Sequence, residues 1–217
     1  MTTTRPLSTD ELLTTTRTVR KRLDLTRPVP LELVRECLEI ALQAPSGSNR
    51  QGWHWIVITE PEIREQIAAY YRRSLESYYN SGSSAASLYA DDPERAEVQR
   101  RVSDSSRHLA EHMGEVPVLV LGCIKLPTGK LPEGSQASLW GSLLPAAWSY
   151  MLAARARGLG TAWTTLHLGY EREVSDLLGL PEDVRQGVLL PTAYYTGDTF
   201  QPAPRAPLDE VLHINHW

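Results

Sequence analysis

Several short segments of this 217-residue chain combine side chains that could hold or transform a ligand. Arg17-Thr18-Val19-Arg20 sets two guanidinium groups close together, and arginine forks match phosphate oxygens bidentately. In extended backbone Arg17 and Val19 share one face and Thr18 and Arg20 the other, whereas a turn gathers both arginines. The loop Pro45-Ser46-Gly47-Ser48-Asn49-Arg50-Gln51-Gly52-Trp53 crowds donors and acceptors of both polarities beside two glycines that permit close backbone approach. His108-Leu109-Ala110-Glu111-His112 matches a helical pattern in which two histidines one turn apart hold zinc and the glutamate serves as general base. A catalytic zinc needs a third protein ligand, and Glu94, His167 and Glu171 stand outside any supporting motif.

Other signatures are missing, which narrows the chemistry. Gly158-Leu159-Gly160 precedes a predicted strand, so the Gly-x-Gly-x-x-Gly dinucleotide fingerprint is absent. Gly129-Lys130 lacks the upstream glycine and the following hydroxyl of a Walker loop. No Gly-x-Ser-x-Gly elbow supports nucleophilic hydrolysis. A phosphorylated ligand must therefore be held by side chains. A net charge of −4 argues against a polyanion-binding surface and excludes nucleic acid as a partner.

Positioning such residues falls to alternating helices and strands in a chain whose length fits one domain, 1–217. Ser8-Thr9-Asp10-Glu11 is a capping box that opens a short helix. Leu31, Val34, Leu38, Ala41 and Leu42 keep helical spacing between Pro30 and Pro45. Further helices are predicted over 61–79, 93–113, 135–154 and 171–178, and strands over 53–59, 116–124, 161–166 and 187–195. The near-continuous apolar run 116–124 reads as a central strand. A membrane span needs roughly 20 predominantly apolar residues, and 135–154 is too polar and is interrupted by Pro145. Apolar nearly all round, it reads instead as a buried helix at the centre of the core and across the interface of a homodimer. Cys37 and Cys123 read as reduced core residues of a cytoplasmic protein, and the N-terminus shows no apolar leader segment.

Taken in order, these segments resemble the FMN-dependent nitroreductase family. Thr16-Arg17-Thr18-Val19-Arg20 is similar to its N-terminal Arg-Ser-x-Arg flavin segment, and the loop from Pro45 to Trp53 to its Pro-Ser-x-x-Asn-x-Gln-Pro-Trp loop. Gly158-Leu159-Gly160-Thr161-Ala162-Trp163-Thr164-Thr165 resembles its Gly-Leu-Gly strand, and the tail around Arg205 its phosphate-binding arginine region. The resemblance implies an α+β fold, three layers α/β/α around a mixed, mostly antiparallel sheet, in an interlocked homodimer with FMN at the interface. Arg17, Thr18, Val19 and Arg20 would meet the phosphate, ribityl chain and pyrimidine edge, with Arg205 joining at the phosphate. Pro45, Ser46, Gly47 and Asn49 would come from the other subunit, and Trp163, Thr164 and Thr165 would place donors near the reactive centre of the ring.

The implied activity is ping-pong electron transfer from NADPH or NADH through the flavin to a nitroaromatic, quinone or similar small acceptor. The flavin carries that chemistry, so no catalytic side chain and no metal is required. Reduced flavin gathers negative charge near N1 and C2=O, and Arg20 is the cation placed to stabilise it. Gly52 stands where the family often has proline, and His112 falls near the place of a common flavin-side lysine. Residues 80–110 would form a lid over the acceptor. Two other readings compete: a flavin-binding protein without turnover, and a zinc hydrolase built on His108, Glu111 and His112.

Overall fold

The computed structural model describes residues 6–81, 88–89 and 91–217. Four strands form its sheet: β1 (Trp53–Ile58), β2 (Val118–Lys125), β3 (Leu159–Thr161) and β4 (Val184–Tyr194), in the order β1-β2-β4-β3. Every strand pairing is antiparallel, with Val120 opposite Leu190 and Leu121 opposite Leu189 at the centre. The parallel component expected of a mixed sheet is reduced to one isolated bridge, Thr18 to Thr161.

Period-two alternation along the inner strands builds the two cores. Leu119, Leu121 and Cys123 of β2 and Leu189 of β4 face a layer made by α3 (Pro61–Asn80), α4 (Pro93–His112) and α6 (Glu171–Leu178). Val118 and Val120, with Val188 and Leu190, face α2 (Leu31–Ala41) and α5 (Ala137–Ala156). Burying each such Leu or Val contributes about 1.5–3 kcal/mol. The result is the expected three layers, with β2 central and both of its faces covered. Cys37 and Cys123 are buried and free, and burial pushes their thiols up to about 11 and about 12.

Local chemistry sets the element ends. Ser8 accepts a hydrogen bond from the Glu11 N–H at 3.2 Å while the Glu11 carboxylate accepts from the Ser8 N–H at 2.8 Å, so α1 (Thr9–Thr15) opens with the predicted capping box. Gly158, at φ +78°, turns the chain out of α5 and straight into β3. The third strand is therefore earlier and shorter than the 161–166 read from sequence. Its partner explains why it stops: the Ala162 N–H donates to the Pro191 carbonyl at 3.0 Å, but proline has no N–H to return. Pairing resumes only as the Thr164–Leu189 bridge, after which Leu166–Tyr170 winds into a 3₁₀ turn.

Helix α5 is apolar around most of its circumference, as predicted, yet the chain covers only part of it. Leu143, Ala146, Ala147, Tyr150, Met151 and Ala154 are buried, and the Tyr150 hydroxyl meets that of Thr192 at 3.1 Å. Gly141, Leu144, Trp148 and Leu152 form a partly covered stripe, with Leu144 and Leu152 half-buried and Trp148 37% exposed. Among the described residues no helix is long and apolar enough to cross a membrane. Most of the Ser/Gly-rich loop read over 80–87 lies outside the described residues.

His167, in the 3₁₀ turn, is fully buried, and neither ring nitrogen has a partner among the described residues. Burial pulls its pKa down to about 4, against a weaker opposing pull from Glu171. The folded ring is thus neutral where the unfolded chain takes up a proton, near pH 6.5. Its contribution is complete above about pH 6.5 and is lost as the pH falls towards 4. His167→Gln should therefore flatten the loss of stability across that window, by up to about 1.4 kcal/mol per pH unit. Urea denaturation at a series of pH values measures this, and an unchanged slope would show that the ring is not held neutral.

Candidate functional site

The basic N-terminal segment is pinned to the free edge of the sheet. The Val19 N–H donates to the Thr161 carbonyl at 2.8 Å, and the Val19 side chain, 4% exposed, sits on bare backbone at Gly160. A Cβ built on Gly160 would lie 3.2 Å from both Val19 and Leu23, so glycine sets this approach. Thr18 Oγ1 accepts from the Trp163 N–H at 3.3 Å. With Val19 turned into the core, Arg17 faces outwards while Thr18 and Arg20 are half-buried.

The tail is tied to the same segment. Arg22 donates through Nε to the Thr196 carbonyl at 2.6 Å and through Nη1 to the Thr199 carbonyl at 2.8 Å. Its guanidinium also lies over the Phe200 ring, 4.1 Å from the centroid. Arg17 Nη1 donates to the Gln201 carbonyl at 3.1 Å. The N-terminal segment and the start of the tail thereby meet, and Arg17, Thr18, Val19, Arg20, Trp163 and Arg205 line one cleft of about 1030 Å³. Lys21, Arg22, Arg101 and Ser105 line it too.

The electrostatics of that cleft are one-sided. Arg17 and Arg205 each bond one backbone carbonyl, and among the described residues neither has a carboxylate partner. Arg20 is half-buried. Its Nη1 donates to Ser105 Oγ at 3.1 Å, while its Nε is buried without a partner among the described residues. Desolvation draws its pKa below the usual arginine value, and Tyr71 and Tyr79 nearby oppose the shift. A half-satisfied buried cation is costly unless an anion completes it. The cleft therefore suits an anionic ligand that arginine forks can hold.

The other predicted site residues lie elsewhere. Pro45, Ser46, Gly47 and Asn49 do not line the cleft; their loop docks on the start of α5, where the Gly47 N–H donates to Ser142 Oγ at 2.9 Å. Left-handed backbone in this loop falls on Ser48, Asn49 and Gln51, at φ 53°, 51° and 51°, rather than on the glycines. The Gln51 N–H bonds Ser46 Oγ at 3.1 Å and Gln51 Nε2 bonds Asn49 Oδ1 at 3.0 Å, so these side chains hold the strained shape together. Thr164 is buried with both donors engaged: its hydroxyl meets Tyr71 at 3.0 Å and its N–H the Leu189 carbonyl at 3.1 Å. Thr165 is exposed at the start of the 3₁₀ turn.

The histidine motif assembles no metal centre. The His108 and His112 rings lie 4.5 Å apart, and His112 Nδ1 pairs with Glu115 at 2.8 Å. Among the described residues no group of three His, Cys, Asp or Glu side chains could hold a metal ion. His112 does not line the arginine cleft and supplies no charge there. Ser105, Lys21 and Arg101 escaped the sequence reading because a charged amphipathic helix or a basic run does not say which of its residues face a distant loop.

A four-stranded antiparallel sheet between two helical layers, with arginines from both chain ends on one cleft, defines a class that comparison identifies. The model of the nitroreductase family matches residues 13–194. The chain belongs to the nitroreductase family. It is 28% identical over 184 residues to an iodotyrosine deiodinase of Thermotoga neapolitana, covering 84% of this chain and 85% of that one. A chloronitrobenzene nitroreductase of Comamonas testosteroni is 28% identical over 193 residues, covering 80% and 81%. The crystal structure of an oxidised iodotyrosine deiodinase bound to FMN and 3-iodo-L-tyrosine superposes with a TM-score of 0.66 at 25% identity, covering 93% and 96%.

Gly160 carries the seating of Val19, so Gly160→Val should lower stability by about 1–3 kcal/mol. It should also speed hydrogen exchange at the Val19 amide by more than the global loss accounts for. Exchange that tracks global unfolding alone would mean the segment is not held by this contact.

Proposed function

We propose that this chain is an FMN-dependent oxidoreductase that passes electrons from NADPH or NADH to a small electrophilic acceptor, a nitroaromatic, a quinone or a similar compound. One observation carries the reading: Arg17 and Arg20 of the N-terminal segment and Arg205 of the tail line one cleft with no carboxylate partner among the described residues. Family membership and the FMN-bound deiodinase support it. When bound, the flavin supplies the hydride and electron chemistry. The chain's own part is to hold and tune. Arg17 and Arg205 take the phosphate, and Thr18, fixed by the Trp163 N–H, faces the ribityl chain. Arg20 lies at the pyrimidine edge and favours negative charge there.

The working unit in this reading is a homodimer. The stripe of Gly141, Leu144, Trp148 and Leu152 on α5 is only partly covered, and Leu208, Val211, Leu212, Ile214 and Trp217 of the tail are exposed. A second copy would cover these surfaces and deliver Pro45, Ser46, Gly47 and Asn49 to the far side of the ring. Sedimentation equilibrium should return twice the 24.3 kDa chain mass, and Trp148→Glu should shift it towards one chain.

The similarity to two deiodinases favours a second reading, reductive removal of iodide from an iodinated phenol on the same flavin. Iodide release from 3-iodo-L-tyrosine, set against consumption of a nitroaromatic, separates the two.

Purified protein should be yellow, or become so with FMN, and anaerobic NADPH or NADH should bleach it within the turnover time. Colourless protein that FMN cannot reconstitute would sink the proposal, and bound flavin that neither nucleotide reduces would leave a carrier without turnover. Arg17→Ala and Arg205→Ala should each weaken FMN at least about tenfold, as expected for charge-assisted hydrogen bonds, with riboflavin binding little changed. Equal losses for both ligands would place these arginines away from the phosphate.

A further inference from the structure

Arg20 emerges from a segment tied to the sheet, but its guanidinium is aimed by a different element. Among the described residues, the one side chain that hydrogen-bonds it is Ser105, in α4, 85 positions along the chain. Ser105 has a fixed orientation of its own, because its hydroxyl donates to the Val102 carbonyl at 2.9 Å. With that proton committed, a lone pair faces Arg20 Nη1. The neighbouring aromatic hydroxyls bond elsewhere and not to the guanidinium: Tyr71 accepts from the Thr164 hydroxyl at 3.0 Å, and Tyr79 donates to the Ser103 carbonyl at 3.1 Å. No carboxylate among the described residues competes for the guanidinium.

We propose that Ser105 is a positioning residue that holds Arg20 against the bound flavin and so sets the flavin's reduction potential. The inference rests on the FMN reading above and adds a residue outside every motif that led to it. Its site also matters, because Ser105 lies within residues 80–110, the segment expected to form a lid over the acceptor. Val98, Arg101 and Val102 of the same helix line the cleft beside Ser105. The helix that faces the acceptor would then also tune the driving force for reducing it.

Ser105→Ala removes the acceptor without threatening the helix, since alanine is the better helix former. Arg20 then loses its one side-chain anchor and samples positions away from the pyrimidine edge. The two-electron midpoint potential, read by dithionite titration against a reference dye under anaerobic conditions, should fall by about 30 mV, a tenfold change in the reduction equilibrium. FMN affinity should stay within a few-fold, because the phosphate arginines are untouched. Ser105→Thr keeps the hydroxyl and should restore the potential. Ser105→Cys, a poor acceptor of similar volume, should fall in the same direction as alanine and serves if the alanine variant does not fold. In an Arg20→Met background Ser105→Ala should change nothing further. An unchanged potential in Ser105→Ala, or an equal fall without Arg20, overturns the positioning role while leaving the flavin reading intact. Failure of the unmodified protein to bind FMN overturns both.

Discussion

The backbone hydrogen bond from the Val19 N–H to the Thr161 carbonyl, backed by that from the Asp24 N–H to the Tyr194 carbonyl, mounts the N-terminal segment on the edge of the sheet, and the arrangement of the cleft follows from this mounting. Seating Val19 on Gly160 turns one side chain of an otherwise polar run inwards, which fixes the registry of its neighbours. Arg22 then reaches the tail, so the N-terminal segment and the start of the tail are held together by one short basic stretch. An edge strand of only three residues would ordinarily offer unpaired backbone to other chains. Here that edge is used to mount the cationic wall of the cleft.

Charge in the cleft is arranged for a guest. Arg17, Arg20 and Arg205 have no carboxylate partner among the described residues. Elsewhere Arg185 and Arg157 do pair, with Glu171 and Glu36. Leaving Arg20 half-partnered costs the fold stability that an anionic ligand, on the proposed reading, would recover.

Periodicity made most of the framework legible. The capping box, the helical spacing before Pro45, the central apolar strand and the buried helix all correspond to observed elements, because each is decided by local chemistry or by a strong pattern. The third strand was misplaced because its end depends on Pro191, a residue of the partner strand that no window around 161–166 contains. The loop after Pro45 drew attention for its glycines, yet Ser48, Asn49 and Gln51 carry the left-handed backbone. Ser105 was invisible for a different reason: its meaning lies in a contact across 85 positions, which only the packing of α4 on the first segment creates. The histidine motif was a pattern without a third ligand, and the structure supplies none among the described residues.

The two thiols have a consequence for chemical durability. Quinones and partly reduced nitroaromatics are soft electrophiles, and thiolates are the groups in a protein that they alkylate most readily. Cys37 and Cys123 are buried, with pKa values raised to about 11 and about 12. At neutral pH no more than about one in ten thousand of either is ionised. In the proposed reaction, which takes up quinones or releases partly reduced nitroaromatics, the chain would thus keep Cys37 and Cys123 out of reach of self-inactivation.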